Sequence, residues 1–412
     1  MEPSKQFFKL KPVQEALKII FDNLQPISST ETHPISKTVG RVVAVAPHSP
    51  MDLPTFHRSA MDGYAVKAAD TFGASDALPA YLQVVGDVKM GEVPTKSIQQ
   101  GDTMVIHTGA MVPDGADAVV MVERTQAIGK TEIEVLAPVA IGENIIKKGE
   151  DIRTDAPTIA VGHVMRPQDI GALLAVGITQ IEVRKRLKIA VLSSGDELVH
   201  PDETPQIGQI RDINSHMLAA LLQQTGADVQ HLGIAHDTLD SLLPLAKNGF
   251  DTCDMLVLSA GSSVSVRDLT GEVIQSLGKP GILQHGLAVK PGKPTILAVC
   301  NGKPVIGLPG NPVSALLVAR QVILPIMRYL TGEIAQLPMT LSARLTQNIA
   351  SSTGREDSVP VRVEKTADGY QAVPIWGKSN LIFTLLRADG LVHVPLNISG
   401  YTAGTLVNVS AF

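Results

Sequence analysis

Aromatic side chains are scarce in this chain of 412 residues, at 3% with a single Trp, and there are only two cysteines. The first scarcity fits cores built on Val, Ile, Leu and Ala, which the 44% hydrophobic share supplies. The second removes whole classes. Cys253 and Cys300 lie in apolar surroundings far from any Cys-x-x-Cys spacing, so they read as buried thiols, not as a disulfide framework or a thiolate metal site. Excess positive charge is missing too. A net charge of −5 offers no basic field for nucleic acid, and the densest basic run, Arg184-Lys185-Arg186 with Lys188, reads as a solvated strand edge. His57, His107, His216, His231, His236 and His285 lack zinc-ligand spacing and read as unclustered. No Gly-x-Ser-x-Gly elbow, Walker loop or dinucleotide fingerprint occurs. The N-terminus, Met-Glu-Pro-Ser-Lys-Gln, lacks the apolar stretch of a signal peptide. No apolar run reads as approaching the roughly 20 residues of a membrane span, so no membrane is expected and a cytoplasmic location is.

What is present changes in texture along the chain. Pro12 followed by Val13, Ala16, Leu17, Ile20 and Leu24 predicts a half-buried helix. From Thr30 to about Asp155, short alternating strands such as Tyr81–Val85, Thr103–His107, Ala118–Val122 and Glu132–Leu136, separated by Gly, Pro and Asp, predict an all-β insertion. A helix over Pro167 to Ala175 and a strand over Ile178–Val183 form a small α/β piece. From Lys188 to Leu330 strands and helices alternate, which implies a parallel sheet covered on both faces. Asn311-Pro312 offers an N-cap and first-turn proline for a long apolar helix, with Pro325 expected to kink it. From about Leu337 short strands return. The expected fold is therefore multi-domain: a central parallel α/β sheet domain, an inserted β domain, a small linking α/β domain and a C-terminal β domain.

Ligands of open parallel sheets bind beyond the carboxyl ends of the strands. Those positions carry Ser194-Gly195-Asp196-Glu197, then His236-Asp237, then Ser259-Ala260-Gly261-Ser262-Ser263 with Asp268. Asp196, Glu197, Asp237 and Asp268 supply the hard oxygens that Mg²⁺ prefers beside phosphate; each alone is equally an Asx turn or helix cap. Gly261, Ser262 and Ser263 form a small-residue loop able to cradle an anion. Lys290-Pro291-Gly292-Lys293-Pro294 and Gly307-Leu308-Pro309-Gly310-Asn311-Pro312 are rigid turns, the first with two cations suited to phosphate. In the insertion, Asp62 beside Gly63 reads locally as a hairpin turn.

Taken together, Ser59–Val66 (SAMDGYAV), Gly149-Glu150-Asp151, Ser194–Leu198 (SGDEL), Ser259–Asp268 (SAGSSVSVRD), Lys290–Pro294 (KPGKP) and Gly307–Pro312 (GLPGNP) resemble one family. It is that of the molybdopterin molybdenumtransferases, whose animal relative is the gephyrin E domain. The resemblance runs from about Lys11 to about Val409. It implies a homodimer of four-domain subunits that inserts molybdenum from molybdate into adenylylated molybdopterin with release of AMP, assisted by Mg²⁺. It further implies acidic site residues Asp62, Asp196, Glu197, Asp237 and Asp268, the last four as metal candidates, with the insertion of one subunit facing the sheet of the other. Substrate-binding positions so implied are Thr108, Gly261, Ser262, Ser263, Lys290, Lys293, Pro309, Asn311, Arg355 and Ser379. The C-terminal domain is expected to resemble a β-barrel. Domain limits on this basis are 1–29 with 186–335 for the molybdopterin-binding domain, 30–50 with 150–185 for the linking domain, 51–149 for the insertion and 336–412 for the C-terminal domain. Ala260 and Ser265 stand where the family commonly has Gly, and Gly286 where some members have Lys. Two further readings are kept: a gephyrin-like scaffold without catalysis, and a molybdopterin adenylyltransferase, which as a separate protein is also a candidate partner for substrate hand-over.

Overall fold

A computed structural model of the chain describes residues 9–261, 264–335 and 339–412, the side chains of 264–267 apart. Its central sheet has six strands in the order Asp228–Ala235, Lys188–Ser194, Met255–Ala260, Lys303–Pro309, Ile296–Cys300, Pro280–His285. The first four are parallel, as the alternation of strands and helices predicts. Ile296–Cys300 runs antiparallel to both its neighbours, Lys303–Pro309 and Pro280–His285, which corrects the expectation of an all-parallel sheet. Cys300 pairs with Lys303 across Asn301-Gly302, and both turn residues have positive φ, 48° and 81°. A two-residue hairpin of matching twist needs that conformation, and Asn-Gly supplies it at least cost.

Successive residues of a strand face opposite sides, so the Lys188–Ser194 strand feeds two cores. Ile189 and Val191 pack with the helices Val13–Phe21, Asn214–Gln224 and the long helix that begins at Pro312. Ala190 and Leu192 pack on the other side with Leu242, Ala246, Val273 and Ile274 from the helices Leu239–Thr252 and Val264–Ser276. The N-terminal helix, with Ala16 and Ile20 fully buried, belongs to the first of these cores although it lies far away in sequence. Cys253 and Cys300 are both buried, and burial pushes the Cys300 thiol up to about 11.

The apolar run that follows Asn311 is longer than the sequence reading allowed. It forms a helix from Pro312 to Thr331, 20 residues, long and apolar enough by composition to cross a membrane, yet 67% buried within the protein. Val318, Val322 and Ile326 lie in the first core. Pro325 lies just after the segment Ala319–Ile323, which widens to π geometry within this helix. The wider turn accommodates a residue that cannot donate to the helical ladder.

The inserted β region forms a six-stranded sheet in the order Ala118–Met121, Gly63–Val66, Asp102–Ile106, Ala80–Val88, Glu132–Val135, Thr125–Ile128. The linking piece pairs Thr30–Pro34 with Gln180–Arg184 in antiparallel register and carries the helix Pro167–Ala175 at its expected limits. Asp169 fixes the start of that helix: its Oδ2 accepts from the Arg166 backbone N–H at 2.8 Å and lies 2.6 Å from His163 Nε2, and Arg166 Nη2 donates to Oδ1 at 3.0 Å. Burial by itself would raise the carboxyl's pKa, but these partners outweigh it and hold the group far below the usual carboxylate range. A depressed folded-state pKa adds stability that is complete above the unfolded value, about 3.9, and fades as pH falls towards the folded one. Asp169→Asn should therefore lower the melting temperature at pH 7, and the gap to wild type should narrow below about pH 4; thermal unfolding at the two pH values measures both.

At the C-terminus, Glu356–Thr366 pairs with Gly369–Pro374 and with Gly390–Val394. The ladder continues through Thr340–Leu345 and Leu406–Ala411 and closes into a five-stranded barrel. The two-residue strand Val289–Lys290, which leaves the central sheet region, joins this barrel in parallel with Glu356 and Asp357. That pairing brings Lys290 to the barrel wall.

Candidate active site

The parallel strands of the central sheet all end on one side, and the acidic residues follow them there. Asp196 follows Lys188–Ser194 and Asp237 follows Asp228–Ala235. Asp196 Oδ1 accepts from the Asp237 backbone N–H at 3.3 Å and lies 3.1 Å from His236 Nδ1, while Ser194 Oγ donates to Asp237 Oδ1 at 3.0 Å. Glu197 is exposed beside them. Asp268 is exposed too, but it lies within the Val264–Ser276 helix, not at a strand end. Among the described residues it makes no hydrogen bond to the other carboxylates. Ser262 and Ser263 lie outside the described residues; Gly261 is half-buried. Ala260 is buried, and a Cβ at Gly310 would come within 2.8 Å of its carbonyl oxygen. The loops after Met255–Ala260 and Lys303–Pro309 therefore touch, and Gly310 permits it.

Asn214 stitches these loops together and was not singled out in the sequence. Its Nδ2 donates to Ser259 Oγ at 2.9 Å and to the Gly310 carbonyl at 2.8 Å. Asp212 holds the start of the same helix, accepting from Ser215 Oγ at 2.6 Å and the Ser215 backbone N–H at 3.2 Å. Asp-x-x-Ser ahead of an apolar run is a helix-start signal that could have been read.

Between this edge of the sheet and the barrel lies a cleft of about 570 Å³, lined in part by Lys290, Asn311, Asp357, Trp376, Lys378 and Ser379. Lys290 Nζ donates to Asp357 Oδ2 at 2.9 Å; the carboxylate side chain is 7% exposed and the ammonium side chain 51%. Asp357 also accepts from Ser351 Oγ at 3.3 Å. A buried carboxylate so held fixes where the half-exposed cation sits. Asn311 stands at the N-cap position, but its side chain does not cap the helix. Instead Nδ2 donates to Ser379 Oγ at 3.0 Å, and the Val313 N–H donates to the Ser379 carbonyl at 3.1 Å. Pro309 ends the adjacent strand, buried. Lys293 is exposed on the same turn as Lys290. Arg355, half-buried, lies two residues before Asp357 and makes no hydrogen bond or ion pair among the described residues.

The turn that presents Lys290 depends on Gly292. Its φ is +117°, and a Cβ there would fall 2.3 Å from Val318 Cγ2 of the long helix. Gly292→Ala is expected to cost about 1–3 kcal/mol. Thermal unfolding should show a clear drop, together with weakened catalysis because Lys290 moves.

In the inserted sheet, Asp62 Oδ1 accepts the Thr108 backbone N–H at 2.8 Å and lies 3.9 Å from His107 Nδ1. The Thr108 hydrogen bond leads the influences that lower the Asp62 pKa. Asp62 is exposed and joined to no residue of the central sheet. Asp62-Gly63 is not a tight hairpin turn. Gly63 is required for close approach: a Cβ there would lie 2.0 Å from the Val120 carbonyl oxygen on the neighbouring strand.

Two other surface groupings lie apart from the cleft. Arg184, Lys185 and Arg186, read from the sequence as a solvated edge, line a crevice of about 380 Å³ with Arg41 and Arg328. His216 also proves to have neighbours, with ring centroids 5.0 Å from His231 and 6.1 Å from His200. Spacing along the chain could not show this, because a helix, a strand and a loop bring them together.

The whole chain matches known proteins in the same order as its parts. Residues 11–177 match the MoeA N-terminal region, domains I and II; residues 190–329 match a probable molybdopterin binding domain; residues 342–412 match the MoeA C-terminal region, domain IV. A putative molybdopterin biosynthesis protein of Methanocaldococcus jannaschii is 34% identical over 97% of this chain and 98% of its own length. A molybdopterin molybdenumtransferase of Staphylococcus aureus is 28% identical over 97% and 94%. Among solved structures, a molybdopterin biosynthesis MoeA protein of Pyrococcus horikoshii superposes with a TM-score of 0.86 at 29% identity, covering 98% of this chain and all of that one. A second structure of a MoeA protein from Pyrococcus horikoshii gives 0.79 at 35% identity, with 98% and 99% covered. The chain belongs to the MoeA family, the molybdopterin molybdenumtransferases of molybdenum cofactor biosynthesis.

Proposed function

We propose that this enzyme takes molybdate and adenylylated molybdopterin into the cleft between sheet and barrel, works as a cytoplasmic homodimer, and releases AMP as molybdenum passes to the dithiolene of the pterin. The observation that carries this reading is the Lys290 ammonium, half exposed and held by buried Asp357 at a cleft that also contains the joined pair Asn311 and Ser379. A fixed cation beside fixed polar groups suits oxyanions, both the phosphates of the substrate and molybdate. The bond that breaks is the phosphoanhydride between the pterin phosphate and the adenylyl phosphorus. Water, or a molybdate oxygen that water then frees from molybdenum, adds to the adenylyl phosphorus with its proton passing to solvent; the pterin phosphate leaves with the electron pair, AMP keeps the added oxygen, and Lys290 and Lys293 offset the charge that develops on the oxygens.

Mg²⁺ fits the acidic strand ends in kind. Asp196 and Asp237 each keep one carboxylate oxygen without a hydrogen bond among the described residues, and Glu197 stands beside them; these are hard donors. No group of three or more His, Cys, Asp or Glu side chains among the described residues is arranged to enclose a metal alone. One or two carboxylates completed by phosphate oxygens is the usual Mg²⁺ arrangement. When bound there, the ion would withdraw charge from the phosphoanhydride. We further assign Asp268 and the loop of Gly261, Ser262 and Ser263 to the phosphate of the same substrate, and Asp62 with Thr108 would reach it from the other subunit. Arg355 would add a further cation from the barrel towards the substrate. A molybdopterin adenylyltransferase is the natural donor of the substrate.

Purified protein with adenylylated molybdopterin and Mg²⁺ tests the proposal, with AMP measured chromatographically in the presence and absence of molybdate. AMP release that depends on molybdate is expected. Pyrophosphate formed from ATP and molybdopterin would instead favour the adenylyltransferase reading.

A further inference from the structure

The barrel contributes to the cleft wall the one tryptophan of the chain, Trp376. It is 56% exposed, unusual for a large apolar side chain that proteins mostly bury. Its setting is fixed nonetheless. The indole Nε1–H donates to Gln347 Oε1 at 3.2 Å. On one side of it the Ile375 N–H donates to the Pro360 carbonyl at 2.8 Å. On the other, Gly377 lies so close to Thr384 that a Cβ would fall 2.4 Å from its Oγ1. Two residues further on, Ser379 is tied to Asn311. The segment carrying the indole is therefore clamped at several points, and the ring has little freedom to collapse onto the barrel.

An exposed, anchored indole in a cleft with the ammonium groups of Lys290 and Lys378 combines two kinds of recognition. The cations suit phosphate, and the aromatic surface suits a flat π-system. We propose that Trp376 is the stacking platform for a planar nitrogen heterocycle of the phosphate-bearing substrate. Identification of that ligand as adenylylated molybdopterin rests on the function proposed above. Both its pterin and its adenine have the required chemistry, and the test separates them.

Because Trp376 is the only tryptophan, intrinsic fluorescence lifetime reports on this position alone. The full-length protein is titrated separately with AMP, with molybdopterin and with inorganic pyrophosphate, which has charge but no ring. Saturable quenching by AMP or by molybdopterin, and none by pyrophosphate, is expected; the quenching partner identifies the stacked ring. Base stacking on an aromatic side chain is commonly worth enough to change affinity by about tenfold. Trp376→Ala should therefore raise KM for adenylylated molybdopterin about tenfold while Trp376→Phe stays near wild type. Circular dichroism confirms that both variants are folded, and binding of a ring-bearing probe by equilibrium dialysis gives a second readout. No quenching by either ring-bearing probe, or an unchanged KM in a folded Trp376→Ala variant, overturns the proposal. If ring-dependent quenching persists but AMP release does not depend on molybdate, the platform stands and the proposed reaction falls. If the reaction is intact without quenching, the platform alone falls.

Discussion

Lys290→Ala is expected to reduce kcat/KM for molybdate-dependent AMP release by about a hundredfold or more, the usual loss when one preorganised electrostatic group is removed. The cation faces the cleft from a two-residue strand bonded into the barrel, which fixes its backbone. The substitution also strands a buried carboxylate. Asp357 would keep Ser351 as a hydrogen-bond donor but lose its ion-pair partner, at a cost of about 1–3 kcal/mol. The two effects separate in the double variant Lys290→Ala with Asp357→Asn, which should regain most of the stability and none of the activity. Steady-state kinetics beside thermal unfolding decides between them. Recovery of activity in the double variant would mean that Lys290 serves structure only.

The second large effect concerns Asp62. On the inserted sheet this exposed carboxylate, its pKa lowered, accepts the Thr108 N–H and lies near His107. Were the site completed between subunits, Asp62→Ala and Asp237→Ala would each abolish activity as homodimers. Mixed in equal amounts and allowed to exchange, they should recover about a quarter of wild-type activity, since half of the dimers then hold one site with both carboxylates intact. Activity that stays at zero after exchange, verified by mass spectrometry of mixed dimers in which one variant carries a nitrogen-15 label, rules out a shared site. Activity retained by Asp62→Ala alone removes Asp62 from the machinery.

Much of the fold was legible because periodicity and turn chemistry are local. The helix Pro167–Ala175 falls where apolar spacing puts it, and the strands and helices expected to alternate from Lys188 do so through Met255–Ala260. The antiparallel strand was missed even though Asn301-Gly302 is the strongest short hairpin signal in that region. The long helix was expected, but its apolar length was not, because Arg320 and Arg328 interrupt the run, whereas burial is decided by the face towards the sheet.

Where the candidate site's residues follow strand ends, their placement together was legible; Lys290, Asn311 and Ser379 were named by turn chemistry or resemblance but not brought together. Asp196 and Asp237 could be placed on one edge from sequence, since parallel strands end on one side. Asn311 meets Ser379 across 68 residues and Lys290 meets Asp357 across 67. Neither contact leaves a local trace, so Asp357, Trp376 and the loop-binding Asn214 went unread. Asn311 before Pro312 marked the helix start correctly, but its side chain serves a tertiary contact instead of capping.

Stoichiometry tests the central claim most directly. In one reaction, AMP is counted together with molybdenum bound to the isolated pterin, at several molybdate concentrations. The account requires the two to rise in equal amounts, with neither formed when molybdate is left out. AMP formed without pterin-bound molybdenum, or molybdenum transferred with no AMP, would contradict it.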